Sequence, residues 1–103
     1  MSTAENRRTE PRRRTLRAAR IVYGDFRFTL DCVIRDKTES GARLRCDSHS
    51  DAPNDFYIYD SGTLQRAEVA WRRGNELGVQ FTGPAVSVHE SSDPRHARFK
   101  FVV

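Results

Sequence analysis

Two short polar segments in this chain combine residue types suited to binding an anionic ligand. The first holds three arginines, Arg13, Arg14 and Arg17. A guanidinium presents parallel donors to a phosphate and also stacks flat on aromatic rings. The second segment, Asp-Lys-Thr-Glu-Ser-Gly at 36–41, places two carboxylates, two hydroxyls and a glycine within one turn. The arginines predict an arm that closes over an anionic, planar ligand.

Positive charge is concentrated in this N-terminal arm. Residues 1–20 hold seven arginines, no lysine and two glutamates, a net charge of +5, whereas the rest of the chain carries −1. Because the arm has almost no apolar side chains to bury, we expect it to be mobile through about Arg17 and to lie off the core. A solvated basic arm, or one that contacts polyanions non-specifically, is the alternative interpretation.

The rest of the chain alternates apolar and polar residues with a period of two, the pattern of half-buried β-strands. Turn residues separate these segments, and Gly74-Asn75 indicates a two-residue hairpin. We predict an all-β fold, a small six-stranded antiparallel barrel with a flexible basic arm, because closure removes exposed sheet edges. The arm covers residues 1–11 and the single domain covers 12–103, with its core at about 18–82.

The apolar residues are assigned to the core rather than to a ligand surface. Phe26, Phe28 and Trp71 are predicted to be core residues, not a stacking platform. Residues 85–98 are polar and are expected to form a loop or a short helix. The last residues alternate weakly, which indicates a final strand or a tail packed on the barrel.

The sequence lacks the patterns that mark catalytic and metal sites. The histidines, His49, His89 and His96, share no close spacing, and Cys32 and Cys46 are isolated. We interpret both cysteines as small core residues. The glycine-rich loops of nucleotide-binding enzymes and the nucleophile elbow of hydrolases are missing as well. We therefore expect no catalytic residue, no metal and no cofactor, and a binding protein rather than an enzyme.

The two polar segments resemble the signatures of the PilZ domain family, an Arg-x-x-x-Arg arm followed by an Asp/Asn-x-Ser-x-x-Gly turn. Residues 13–17 match the arm and residues 36–41 match the turn. The stretch Trp-Arg-Arg-Gly-Asn-Glu-Leu-Gly-Val-Gln-Phe at 71–81 is similar to the last hairpin of that family. The resemblance spans about residues 12–82.

The resemblance implies a receptor for cyclic diguanylate (cyclic di-GMP), a bacterial second messenger. In this interpretation Asp36 accepts hydrogen bonds from guanine N1 and N2. Thr38 stands where the family usually has serine and keeps the hydroxyl, while Gly41 allows a positive φ and close approach of the ligand. Arg43, on the following strand, is a further candidate. The ligand-binding residues implied are Arg13, Arg14, Arg17, Asp36, Thr38 and Gly41.

The same resemblance implies a single-domain adaptor that signals through a protein partner in motility, adhesion or exopolysaccharide control. It would act as a monomer or as a dimer linked by its ligand. Two alternatives remain, a nucleic-acid-binding barrel, which the slightly acidic body disfavours, and a PilZ-like interaction module without ligand. No apolar run is long enough to span a membrane, and the polar N-terminus lacks the apolar stretch of a secretory signal. We therefore expect a cytoplasmic protein without membrane insertion.

Overall fold

A computed structural model describes the chain from residue 13 to residue 99, apart from the side chains at positions 13–15 and 98. The arm predicted at 1–11 lies outside the described residues. Two short 3-10 helices, His49–Asp51 and Pro94–Phe99, accompany the strands. The strands are β1 (Arg13–Tyr23), β2 (Phe28–Lys37), β3 (Gly41–Arg45), β4 (Asp55–Asp60), β5 (Thr63–Arg73), β6 (Glu76–Phe81) and β7 (Val86–Ser87).

The first six strands form a closed antiparallel barrel. Their order is β4-β1-β2-β3-β6-β5, and β4 pairs back on β5. The two-residue loops at 61–62 and 74–75 join β4 to β5 and β5 to β6, where glycines adopt positive φ. The predicted six-stranded barrel is confirmed, and β7 adds one short strand beside the start of β5. No helix in the part described, 13–99, is long and apolar enough to cross a membrane.

Alternate residues of each strand fill the barrel interior. The fully buried side chains there include Ile21, Ile34, Leu44 and Leu77. Cys32 and Cys46 are buried among them, as predicted. Burial raises the pKa of the Cys32 thiol to about 12 and also raises the pKa of Cys46. Both thiols are therefore protonated and act as small apolar groups.

A second apolar cluster lies on the outer face of β1, β4 and β5, under the C-terminal segment. Val22 and Tyr59 are buried there, on the strand faces opposite the interior residues Ile21 and Ile58. The Tyr59 ring stacks on Phe99 at 5.1 Å between centroids, and its hydroxyl donates to the Phe99 carbonyl at 3.3 Å. The segment 86–99 therefore belongs to the fold as a short strand and a 3-10 helix packed on the barrel.

Two of the predicted core aromatics are in fact exposed. Phe28 is 53% exposed and Trp71 is 42% exposed, whereas Phe26 is buried. Phe28 starts β2 and stacks on Tyr23 at 5.4 Å, at the hairpin turn of the β1–β2 pair. Trp71 follows a bulge in β5, which adds one residue and turns the next side chain to the opposite face. Simple alternation along the sequence misses such a reversal.

Candidate functional site

The β2–β3 turn is organised by the Thr38 hydroxyl. Thr38 Oγ1 accepts the backbone N–H of Ser40 and of Gly41, each at 3.2 Å. The Thr38 N–H in turn donates to the Gly41 carbonyl at 2.8 Å. A hydroxyl that accepts twice keeps one proton to donate, here in reach of the Gly41 carbonyl at 3.4 Å. Thr38 therefore shapes the turn in addition to any contact with a ligand.

Gly41 is required by the approach of β6, not by a positive φ. Its φ lies outside the left-handed region, so that part of the sequence prediction is wrong. A Cβ at this position would collide with the main-chain carbonyl of Val79. The glycine therefore lets β3 begin against β6, and it fixes the distance between the turn and the neighbouring strand.

Strand register aligns five residues in a row across the barrel, which we call the Asp36 row. Arg14 on β1 lies opposite Asp36 on β2, and Asp36 lies opposite Arg43 on β3. Arg43 in turn lies opposite Gly78 on β6, which pairs with Trp71 on β5. A bulge in β2 between Ile34 and Asp36 shifts its register against β3 and brings the Asp36 carboxylate to Arg43.

Asp36 is a buried carboxylate at the centre of this row. It is 4% exposed, and its Oδ2 forms an ion pair with Arg43 Nη2 at 2.8 Å. The Nε of Arg43 is buried and has no hydrogen-bond partner among the described residues. Arg43 therefore has an N–H group beside the carboxylate that is available for a further hydrogen bond. Arg43 is the residue that the sequence analysis named as a further candidate.

Trp71 provides an aromatic surface at the end of the Asp36 row. Its indole lies on Gly78, where a Cβ would collide with the ring. The guanidinium carbon of Arg73 lies 5.9 Å from the ring centroid. This surface was not predicted from the sequence, although the register of the β5–β6 hairpin could have revealed it. A two-residue turn at 74–75 pairs Trp71 with Gly78, one residue from the inward-facing Leu77, and so predicts an outward tryptophan.

Arg17 is directed to a different partner, Asp60 at the end of β4. Its Nη2 lies 2.7 Å from Asp60 Oδ2, and the carboxylate side chain is only 7% exposed. Arg17 also pairs in register with the core residue Ile34. The expectation that the arm lies off the core through about Arg17 is therefore wrong, because β1 begins at Arg13 and is bonded to β2. Asp60 was not predicted from the sequence, because it precedes Ser-Gly and resembles an ordinary turn residue.

The structure thus brings some of the predicted residues together and separates others. Asp36, Thr38 and Gly41 lie within one strand end and its turn, and the register adds the backbone of Arg14. The backbone of Arg13 lies opposite Lys37. Arg17 joins the same end of the barrel through its ion pair with Asp60 rather than through the Asp36 row.

A groove of about 920 Å³ lies elsewhere, along the β1–β3 strands and the β4–β5 turn. It contains charges of both signs, and Arg20 and Asp31 on its walls approach to 3.6 Å. Asp36, Thr38 and Trp71 are not among its lining residues. This groove therefore does not include the residues whose types suit a ligand.

Within residues 13–99 the histidines, cysteines and carboxylates form no group of three that could hold a metal ion. The sequence was compared with protein families and with curated proteins. No family model matches the chain, and no curated protein matches its sequence.

Proposed function

We propose that this protein binds cyclic diguanylate on the barrel surface formed by the Asp36 row and the β2–β3 turn. The observation that carries the proposal is the row itself, which combines a buried carboxylate, guanidinium groups and an exposed indole on adjacent strands. A cyclic dinucleotide offers two phosphates and two guanines, and these residue types are complementary to both parts of it. Binding, and not catalysis, is the role proposed.

The carboxylate and guanidinium of the row complement different edges of guanine. Asp36 would accept from the N1 and N2 donors, while arginine reads O6 and N7 or pairs with phosphate. Asp36 is already held in place by Arg43 at 2.8 Å. An oriented acceptor loses little conformational freedom when the ligand binds, which favours affinity. Arg13 and Arg14 would supply phosphate contacts from the start of β1.

Trp71 would supply a stacking surface for a guanine. The ring packs against Gly78 and Arg73 lies over it, so an incoming base would displace the Arg73 side chain without rearrangement of the strand. Stacking of a base on an aromatic side chain contributes about 1–3 kcal/mol in single-stranded nucleic-acid complexes. The ordered arm on the loaded barrel would then be the surface presented to a protein partner.

The experiment that tests the proposal is isothermal titration of the full chain with cyclic diguanylate at physiological salt. GTP and cyclic di-adenosine monophosphate serve as competitors without the full set of matching groups. Saturable binding of cyclic diguanylate alone is the expected result. No binding up to millimolar ligand would overturn the proposal and leave a protein-interaction module.

A matched pair of variants ties binding to the Asp36 row. Asp36→Asn removes the charge and turns one acceptor into a donor, so we expect affinity for cyclic diguanylate to fall at least 10-fold, about 1.4 kcal/mol. Asp31→Asn is the control, since Asp31 lies on the same strand with its side chain 94% exposed. Equal losses for the guanine and adenine dinucleotides would contradict the guanine-edge role.

One observation favours a second candidate, binding of single-stranded nucleic acid. The exposed Trp71 could also stack on a base of a nucleic acid, and Arg43 and Arg73 could contact its phosphates. This candidate predicts binding of a short oligonucleotide with a strong salt dependence, because each neutralised phosphate releases counterions. Weak dependence on salt and preference for the cyclic dinucleotide would favour the first proposal.

A further inference from the structure

Asp60 is a buried carboxylate that the Asp36 row does not use. Its Oδ2 pairs with Arg17 at 2.7 Å, and its Oδ1 accepts from the Ser61 hydroxyl at 3.0 Å. A buried carboxylate remains charged where a cation and hydrogen-bond donors compensate it. The partner is the arginine that matches the end of the arm motif, and its side chain is 44% exposed. The guanidinium of Arg17 is therefore neutralised from within the protein while one side of it faces solvent.

The backbone before Arg17 is held in an unusual conformation. Register shifts between Arg14 and Arg17, so β1 carries a bulge there. Leu16, inside the bulge, has a φ of 42° and is 66% exposed. A positive φ is unfavourable for leucine, and bulges redirect the side chains that follow them. The backbone at Leu16, directly before Arg17, is thus strained, and the Leu16 side chain is mostly exposed.

A second cation, Lys37, lines the same small cavity as Asp60 at this end of the barrel, together with Thr63 and Gln65. The Lys37 ammonium lies over the Phe81 ring, 5.6 Å from its centroid. If Arg17 left, the carboxylate would still have an ammonium and polar groups around its cavity. The cost of leaving a buried charge unpaired would then be smaller.

We propose that Asp60 is an internal competitor for the anionic ligand. It holds Arg17 in the free protein and releases it when a phosphate of the cyclic dinucleotide takes the guanidinium, while Lys37 compensates the carboxylate. The proposal rests on the function proposed above and adds its regulation. Part of the ligand's binding free energy is used to break the ion pair, so Asp60 lowers affinity and raises the ligand concentration at which the receptor responds.

The test is titration of Asp60→Asn with cyclic diguanylate beside the wild type. The amide keeps the Oδ1 acceptor for Ser61 but gives up the charge, so we expect binding to tighten about 3- to 10-fold. Asp55→Asn is the matched control on the same strand, since Asp55 pairs with Arg66 at 2.6 Å with both side chains half exposed. Its affinity is expected to stay at the wild-type value. In an Arg17→Ala background, Asp60→Asn should bring no gain.

Each outcome decides between the two proposals. Wild-type binding with an unchanged or weaker Asp60→Asn overturns the competition and leaves the proposed function standing. If Asp60→Asn binds and the wild type does not, the competition is supported in its strongest form. If neither protein binds, the proposed function and the competition are both overturned. If the variant does not fold, the wild type with ¹³C-labelled aspartate replaces it. The Asp60 Cγ shift should then move on saturation while that of Asp55 stays, and an unmoved Asp60 overturns the competition.

Discussion

Arg72 and Arg17 lie at opposite ends of the barrel and have their hydrogen bonds satisfied in different ways. Arg72 donates to the main-chain carbonyls of His49, Ala52 and Pro53 and to the side chain of Asn54. It thereby fastens the 3-10 segment that closes its end of the barrel. Among the described residues Arg17 has one carboxylate partner, and its guanidinium is half exposed. Several neutral acceptors on both terminal nitrogens indicate a structural arginine, whereas an exchangeable anion is compatible with ligand binding.

His49 strengthens this contrast. Its Nε2 lies 2.7 Å from the Gly74 carbonyl, which only accepts, so Nε2 carries the proton. Its Nδ1 then accepts from Arg72 Nη1 at 3.3 Å. The ring therefore joins the segment at 49–54 to the β5–β6 turn. The Arg72 end is built as a closed hydrogen-bond network, while the Arg17 end holds a charge pair and an additional cation.

The largest effect is expected from Arg72→Ala. Two part-buried carbonyls, those of His49 and Ala52, would lose their donor at once, at a cost of about 2–4 kcal/mol. For a domain of this size that corresponds to a fall in Tm of roughly 10–20 °C. Arg73→Ala is the control, since Arg73 is exposed and lies only over the Trp71 ring. A Tm for Arg72→Ala within a few degrees of the control would show that the network is dispensable.

Arg17→Ala should destabilise the free protein less, by about 1–2 kcal/mol. Asp60 would stay buried without its closest cation, but the pair is partly exposed and therefore partly screened. This expectation replaces the one from sequence, in which Arg17 lies off the core. Chemical denaturation of Arg17→Ala and of the Arg17→Ala/Asp60→Asn double variant measures it. The double variant should recover part of the loss, and an unchanged single variant would argue against a buried pair.

The sequence predicted the barrel well because alternation and turn residues are local properties. Five turn signals in the sequence mark five of the six connections between the strands, while the connection at 46–54 was not predicted. Bulges are not local in this sense, since they depend on how many residues the partner strand supplies. The bulges before Asp36 and Trp71 decided which side chains share the outer face, and neither was predicted.

The residues of the candidate site also differ in whether local sequence patterns could predict their position. Asp36, Thr38 and Gly41 are contiguous and were predicted as one turn, which the structure keeps together. Asp60 lies 43 residues from Arg17, and only closure of β4 on β1 brings the two side chains together. Trp71 reaches the outer face through hairpin register combined with a bulge. The hairpin register of Trp71 could be read from the turn at 74–75, whereas the long-range pairing of Asp60 with Arg17 leaves no local pattern in the chain.

Thr38 gives a finer test of the turn beside the Asp36 row. Thr38→Val keeps the shape but removes the acceptor for two backbone N–H groups, so we expect a loss of about 1 kcal/mol. Thr38→Ser keeps the acceptor and should stay within about 0.5 kcal/mol of the wild type, with ligand affinity preserved. Urea unfolding of both variants measures the difference. Equal destabilisation by serine and valine would assign the effect to the methyl group, not to the hydroxyl.

The smallest expected effect is at Asp93, which anchors the C-terminal segment. Hydrogen bonds from Arg95 hold the pKa of Asp93 at about 2, below its ordinary value. A depressed carboxylate pKa contributes stability that is complete above about pH 4 and is lost as pH falls through about 2. The Tm gap between wild type and Asp93→Asn should thus narrow as pH falls from about 4 toward 2. Asp31→Asn is the control for removal of an exposed carboxylate. A gap that did not narrow in acid would contradict the depressed pKa of Asp93.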